Sequence, residues 1–213
     1  MKKLFTLVIC SLALLLQASA QIKKGEKLLG GYLLLMVDNS EYDHPNTPEV
    51  QKTKSTSFGI HPQLGFGLGD NWIAGIRMAF TYHTQKQESG FGNPRSEGYV
   101  IQPGGFVRKY FPIGDRFGMF GQVDVGWGYG IDKYNQDNEP TQEYKKTTYG
   151  IGLTPGASFR VSKRFVIEAA IGGIGYSRYS SKPKAGTTGS KIWSDDIIVS
   201  LSNNLSLGFQ LIL

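Results

Sequence analysis

Residues 58–82 read FGIHPQLGFGLGDNWIAGIRMAFTY. From Phe58 to Leu68 the even positions are Phe58, Ile60, Pro62, Leu64, Phe66 and Leu68. The odd positions are Gly59, His61, Gln63, Gly65 and Gly67. After Gly69-Asp70-Asn71 the alternation resumes, with Trp72, Ala74, Ile76, Met78, Phe80 and Tyr82 opposite Ile73, Gly75, Arg77, Ala79 and Thr81. Successive side chains of a strand point to opposite faces. Period two on both sides of three turn-forming residues therefore predicts a β-hairpin, apolar on one face and mostly small or polar on the other.

The same pattern recurs along the chain. Residues 117–131 place Phe117, Met119, Val123, Val125, Trp127, Tyr129 and Ile131 on one face, opposite Gly118, Phe120, Gln122, Asp124, Gly126, Gly128 and Gly130. Residues 147–161 and 197–213 alternate likewise. Residues 28–37, 98–111 and 165–179 are less regular. In the last of these the phase slips near Gly172-Gly173, where a β-bulge is expected. Pro62, Pro103 and Pro155 each stand within a strand ahead of a short turn, and bulges that tighten curvature are one way to tolerate them. The count is eight strands. With 28 glycines in 213 residues, long helices and coiled coils are disfavoured, because Gly is costly in helix interiors.

Connections alternate in length. Short turns fall at Gly69-Asp70-Asn71, at residues 112–116 and at Ser162-Lys163-Arg164. Long polar loops are expected at about residues 38–54, 83–97, 132–145 and 180–191. Short turns on one side and long loops on the other predict an all-β, eight-stranded, antiparallel up-and-down transmembrane barrel with both termini in the periplasm. A soluble ligand-carrying β-barrel also alternates, but it turns its apolar face inward. Here the non-apolar face is rich in Gly, Ala, Ser and Thr, which suits the narrow interior of eight strands. Phe66, Trp72, Phe111, Phe117, Phe165 and Phe209 lie near the short turns, and Tyr82, Tyr99, Trp127, Tyr129, Tyr149, Tyr179 and Trp193 near the long loops. Two such clusters read as interfacial girdles.

The N-terminus is a separate segment. Lys2 and Lys3 precede an apolar run, residues 4–16, and Ala18-Ser19-Ala20 forms a small-x-small cleavage site. Residues 1–20 are expected to be a signal peptide cut between Ala20 and Gln21, leaving a barrel domain over residues 21–213. The apolar run is too short for a membrane anchor, which needs about 20 residues. Cleavage removes two lysines and no acid, leaving 21 basic residues against 17 acidic, a net charge of +4. It also removes Cys10, the only cysteine, so disulfides and cysteine metal sites are excluded. The modest charge, without a long basic run, gives no indication of a nucleic-acid partner.

Residues 58–76, FGIHPQLGFGLGDNWIAGI, resemble the first hairpin of a small outer-membrane β-barrel family that includes PorT-like and OmpX-like eight-stranded barrels. Residues 102–111, QPGGFVRKYF, resemble its PFxRYYF strand, with Gly105 before the Phe and Lys109 in the first Tyr place. Residues 154–176 are similar to its third hairpin. The resemblance spans essentially the whole mature chain and implies an eight-stranded barrel in a Gram-negative outer membrane. It carries over no active site, because the shared residues are structural. Ser206, Gly208, Leu211 and Leu213 resemble the C-terminal signal read by the barrel insertion machinery, with Leu in place of the final aromatic.

Active chemistry has little support. His44 lies in a loop, and His61 and His83 lie on the inward face without being opposite one another, whereas metal ligands must converge. Ser89 near His83 is the one candidate nucleophile–base pair. Asp38, Glu41, Asp43 and Glu49 make the first loop acidic, and a solvated charged loop is the simpler reading than a calcium site. No enzyme and no cofactor are expected. On the inward phase stand Arg77, Arg108, Asp124, Arg160 and Glu168. Buried charges are normally paired, so an ion-pair network that closes the bore is expected, with Arg160 diagonal to Glu168. The leading expectation is a plugged outer-membrane barrel, its four extracellular loops free to contact lipopolysaccharide, a host surface or another envelope protein. A narrow channel and a soluble carrier are the rivals.

Overall fold

A computed structural model describes residues 22–43, 50–88, 93–135, 141–187 and 190–213. The expected signal peptide over residues 1–20, Gln21, His44, Glu49 and Ser89 lie outside the described residues. Eight antiparallel strands follow one another around a closed barrel: β1 (Lys27–Asp43), β2 (Val50–Gly69), β3 (Trp72–Glu88), β4 (Arg95–Ile113), β5 (Phe117–Asn135), β6 (Gln142–Arg160), β7 (Phe165–Pro183) and β8 (Ile192–Ile212). Each strand pairs with its neighbours in sequence, and β1 closes on β8 from Leu28↔Ile212 to Leu33↔Leu207.

The short turns sit where the sequence places them. Between β2 and β3 the turn residues Asp70 and Asn71 both have positive φ, 50° and 64°. That is the type I′ geometry, whose twist matches the flanking strands. Between β6 and β7, Ser162 Oγ accepts hydrogen bonds from the backbone N–H groups of Arg164 (3.3 Å) and Phe165 (3.1 Å) and holds the bend.

The expected long loops need correction. Most of residues 38–54, 83–97 and 132–145, and residues 180–183 of the fourth loop, continue the strands, so the hairpins rise beyond the apolar band. Asp38, Glu41 and Asp43 lie on β1, and Glu41 pairs with Lys52 across the hairpin at 3.1 Å. Period-two patterning vanishes there because both faces meet water. Ladder hydrogen bonds do not depend on it, and pairing persists.

The three prolines have a common setting. Each keeps its register with the preceding strand, as Gly31↔Pro62, Met78↔Pro103 and Gly121↔Pro155. Towards the following strand the ladder breaks, between Ile60 and Gln63, Ile101 and Gly104, and Leu153 and Gly156. Proline brings no N–H to a ladder, and at all three positions the break falls on the side of the following strand. At Pro155 the register also shifts, and β7 shifts again against β8 between Ile171 and Gly173. Gly172 (φ 61°) accommodates the slip. The slip carries Ile174 and Tyr176 outward and turns Tyr179 into the lumen, so Tyr179 is not part of the outer girdle.

Candidate functional site: the lumen and its two ends

The sequence suggests an interior of small residues with a few charges. The half nearer the short turns is instead filled by large side chains. Ile22, Leu28, Tyr32, Ile73, Phe106, Tyr110, Phe120 and Val166 form one buried cluster there. Ile22 belongs to a segment that folds under the barrel. Its N–H donates to Asn71 Oδ1 at 3.1 Å, and the backbones of Gly25 and Glu26 pair with Gly67.

Arg108 stands within this cluster, 0 % exposed, facing Glu168, also 0 % exposed. Arg108 Nη1 donates to Glu168 Oε1 (2.8 Å) and Oε2 (2.9 Å) and to Tyr110 Oη (2.8 Å). Nε donates to Gln122 Oε1 (2.8 Å), and Nη2 to Gln63 Oε1 (2.8 Å) and Tyr32 Oη (3.0 Å). Glu168 further accepts from the Tyr32 and Tyr110 hydroxyls and from Gln210 Nε2 at 3.0 Å. The guanidinium carbon lies 4.7 Å from the Phe120 ring centroid and 5.5–5.7 Å from those of Phe106, Tyr110 and Tyr32. Hydrogen-bond partners and aromatic faces together offset the desolvation of this cation. Six strands contribute to the network.

Of the five inward charges named from sequence, four form two pairs. Arg108 holds Glu168, and Arg77 Nη2 holds Asp124 Oδ1 at 2.7 Å in a separate, partly exposed tier. The expected Arg160–Glu168 diagonal is not the pairing found. Arg160 does align with Val166, but Glu168 reaches across the lumen to Arg108. Across a bore this narrow, a side chain on a distant strand can be nearer than a diagonal neighbour.

The network also explains Gly208. It stands opposite Tyr32 and Glu168 in the two ladders. A Cβ there would lie 2.5 and 2.6 Å from Tyr32 ring carbons and 2.7 Å from the Gly31 carbonyl oxygen. Gly208→Val is expected to displace Tyr32 from Glu168 and to lower stability by about 1–3 kcal/mol, the usual cost of overpacking. Urea unfolding in lipid vesicles, with outward-facing Leu207→Val as control, measures it. Equal midpoints for the two variants would refute this packing role.

At the other end of the lumen the groups differ. Asp132, buried, is held by His83 Nε2 at 3.2 Å and by Lys146 Nζ. Lys146 Nζ lies 5.4 Å over the Tyr179 ring. Above them a cavity of about 390 Å³ is lined by Pro94, Arg95, Tyr134, Tyr144, Tyr179 and Ile192, among others. Tyr134 and Tyr144 meet edge to face with centroids 5.5 Å apart. Beyond β7, Lys184 Nζ donates to Glu143 Oε2 at 2.6 Å, and this bond raises the ammonium above its ordinary pKa. Among the described residues no group of three or more His, Cys, Asp or Glu is placed to hold a metal ion. His61 Nε2 lies 3.5 Å from the Thr81 hydroxyl.

The outer wall is apolar and uncovered. Ile76 is 65 % exposed, and Leu64, Val107, Val123, Ile151, Leu153 and Ile167 share its face around the barrel. Phe66, Trp72, Phe111, Phe117 and Phe209 border it below, and Tyr82, Tyr99, Trp127, Tyr129, Tyr149 and Trp193 above. A continuous apolar belt edged by aromatics is the surface of a protein solvated by lipid. The sequence matches the outer membrane protein β-barrel domain family over residues 8–204. The chain belongs to that family. It is an integral protein of the cell outer membrane, which removes the soluble-carrier alternative.

Among solved structures, the outer membrane protein OprG from Pseudomonas aeruginosa is similar in fold. Its TM-score is 0.54 at 14 % identity, over 92 % of this chain and 99 % of that one. Two structures of Ail, the attachment invasion locus protein of Yersinia pestis, align with TM-scores of 0.39 and 0.36 at 18 % identity, over 89 % of this chain and 99 % of theirs. No curated protein sequence matches.

Sequence reasoning missed most of the network's neutral members. Gln63, Gln122 and Gln210 share the inward phase with Arg108, and all three are buried. A glutamine recurring on the lumen face of β2, β5 and β8 was the available signal. Tyr32 and Tyr110 carried no such mark, because an aromatic in a strand reads first as packing.

Proposed function

We propose that this protein is a plugged outer-membrane barrel that serves as a structural or surface-contact element and performs no catalysis. The observation that carries the reading is the buried Arg108–Glu168 network. With Phe106, Tyr110, Phe120 and Tyr32 around it, it occupies the cross-section of a bore that eight strands leave barely wide enough for side chains. The Ile22 segment lies beneath it. The chain is proposed to enter the membrane from the periplasm after cleavage between Ala20 and Gln21. Ser206, Gly208, Leu211 and Leu213 on the terminal strand would be read by the insertion machinery, and the exposure of Leu211 and Leu213 on the lipid side supports this. The extended hairpins would be the contact surface, for lipopolysaccharide, a host surface or another envelope protein.

Planar-bilayer recording of the purified protein tests the plug. The expected result is no stable conductance above the membrane baseline. Large, ohmic single-channel steps that survive trimming of the hairpin tips would establish the narrow channel instead.

A further inference from the structure

The outward face of β6, β7 and β8 carries a row of lysines just above the upper aromatic girdle. Lys145 stands directly opposite Lys182 in the β6–β7 ladder. One step beyond Ser181↔Ile192, the last pair of the β7–β8 ladder, Lys182 meets Lys191. All three are exposed. Below the row, Trp193 is 54 % exposed. Lys191 Nζ lies 3.6 Å from its ring centroid, and Arg178 Cζ lies 5.2 Å from it.

Like charges directly opposite one another on a sheet repel. The carboxylates of this region do not relieve the row. Glu143 is engaged by Lys184 at 2.6 Å and by Lys133 at 3.8 Å. Asp195 pairs with Arg178 at 3.7 Å, and Asp132 faces the lumen. Among the described residues none of the three lysines has a carboxylate within ion-pair distance. Desolvation first, and the Lys182 ammonium second, push the Lys191 ammonium below its ordinary pKa. Three adjacent ammonium groups without an internal counter-charge form a positive patch that an external polyanion would neutralise.

Their height identifies the source of that anion. Trp127, Tyr129, Tyr149 and Trp193 mark the level of the membrane–water boundary, where amphipathic rings settle. The lysine row stands two residues above the level of Tyr129 and Trp193, at headgroup level, and it faces outward rather than into the mouth. We infer that Lys145, Lys182 and Lys191, with Arg178 and Trp193 beneath them, bind the phosphate groups of an outer-leaflet glycolipid. The inference rests on the proposed orientation, with the hairpin ends outside the cell. It commits to a membrane-embedded phosphate carried on a sugar whose apolar side packs on Trp193.

The probe is lipid A, a diphosphorylated disaccharide glycolipid, presented to the full mature chain in phosphatidylcholine vesicles and in mixed micelles for native mass spectrometry. The wild-type protein is expected to retain lipid A and to unfold at higher urea concentration when it is present. The monophosphorylated derivative should bind more weakly. The triple variant K145Q/K182Q/K191Q should lose about 100-fold in affinity, the effect of removing three lysines near a charged surface. It should still fold in phosphatidylcholine alone. The triple arginine variant, K145R/K182R/K191R, keeps the charge and should keep the lipid. Equal retention of lipid A by the wild type and the glutamine variant would overturn the site. A full stability gain from inorganic phosphate alone would overturn the glycolipid as its source. Surface biotinylation of a cysteine placed at Lys184 in whole cells tests the orientation separately, so failure of that reading is distinguishable from failure of the site.

Discussion

Arg108→Met is expected to lower the stability of the folded barrel by about 3–5 kcal/mol, the cost of leaving a buried ion without its partner. Glu168 is 0 % exposed and cannot recruit water to replace the lost guanidinium. Two tyrosine hydroxyls and the Gln210 amide would remain to solvate it. Glu168→Gln should cost a comparable amount, because it strands the cation instead. The double variant R108M/E168Q is expected to lose much less than the sum of the two, since it removes both charges at once. Urea titration of the four proteins in lipid vesicles gives the coupling energy directly. Additive losses, each under about 1 kcal/mol, would show that the pair contributes little to holding this core together.

On the opposite face, Val123→Arg should impair folding into vesicles by about 2–4 kcal/mol, the cost of a cation near the bilayer midplane. Val123 lies on the outward phase of β5 between Phe117 and Trp127, the aromatics of the two girdles. Val123→Leu at the same position changes volume without charge and is the matched control. Gln122, its lumen-facing neighbour, does not serve as an inert comparison, because its amide accepts from Arg108. The fraction of heat-modifiable protein after dilution into lipid reports the difference. Equal yields for Val123→Arg and Val123→Leu would mean that this face does not meet hydrocarbon.

The two variants also mark how far the sequence can be read. Val123 is assigned to lipid by its place in a period-two pattern, and the closed barrel keeps that assignment. The same periodicity foretold eight strands, the short turns and the slip at Gly172-Gly173. It stopped short where both faces are polar, so the continuation of β1 and β2 to Asp43 and from Val50 was invisible to it. Tyr179 was misassigned for a related reason. A one-residue bulge reverses every face beyond it, and the slip was carried only as far as Tyr176.

The lumen divides along the same line. Strand phase alone placed Arg77, Arg108, Asp124, Arg160 and Glu168 inside, because phase is a local property of the backbone. Their partners were decided by the closed barrel. Arg108 and Glu168 are 60 residues apart, on strands that share no ladder, and they meet because closure brings β4 and β7 face to face across a narrow bore. Local pairing rules favoured Arg160 for Glu168, since they consider only adjacent strands. The row of Lys145, Lys182 and Lys191 is likewise unremarkable in the sequence, where each lysine sits in a polar stretch. Register sets the three side by side, and the height of the aromatic girdle sets them at the membrane surface. Alternation along a strand is written in consecutive residues, so the sequence by itself determined the strands, their faces and their lipid solvent. Distances across the lumen and around the wall depend on barrel closure and register, so only the tertiary structure decided which charges pair inside and which stand exposed side by side.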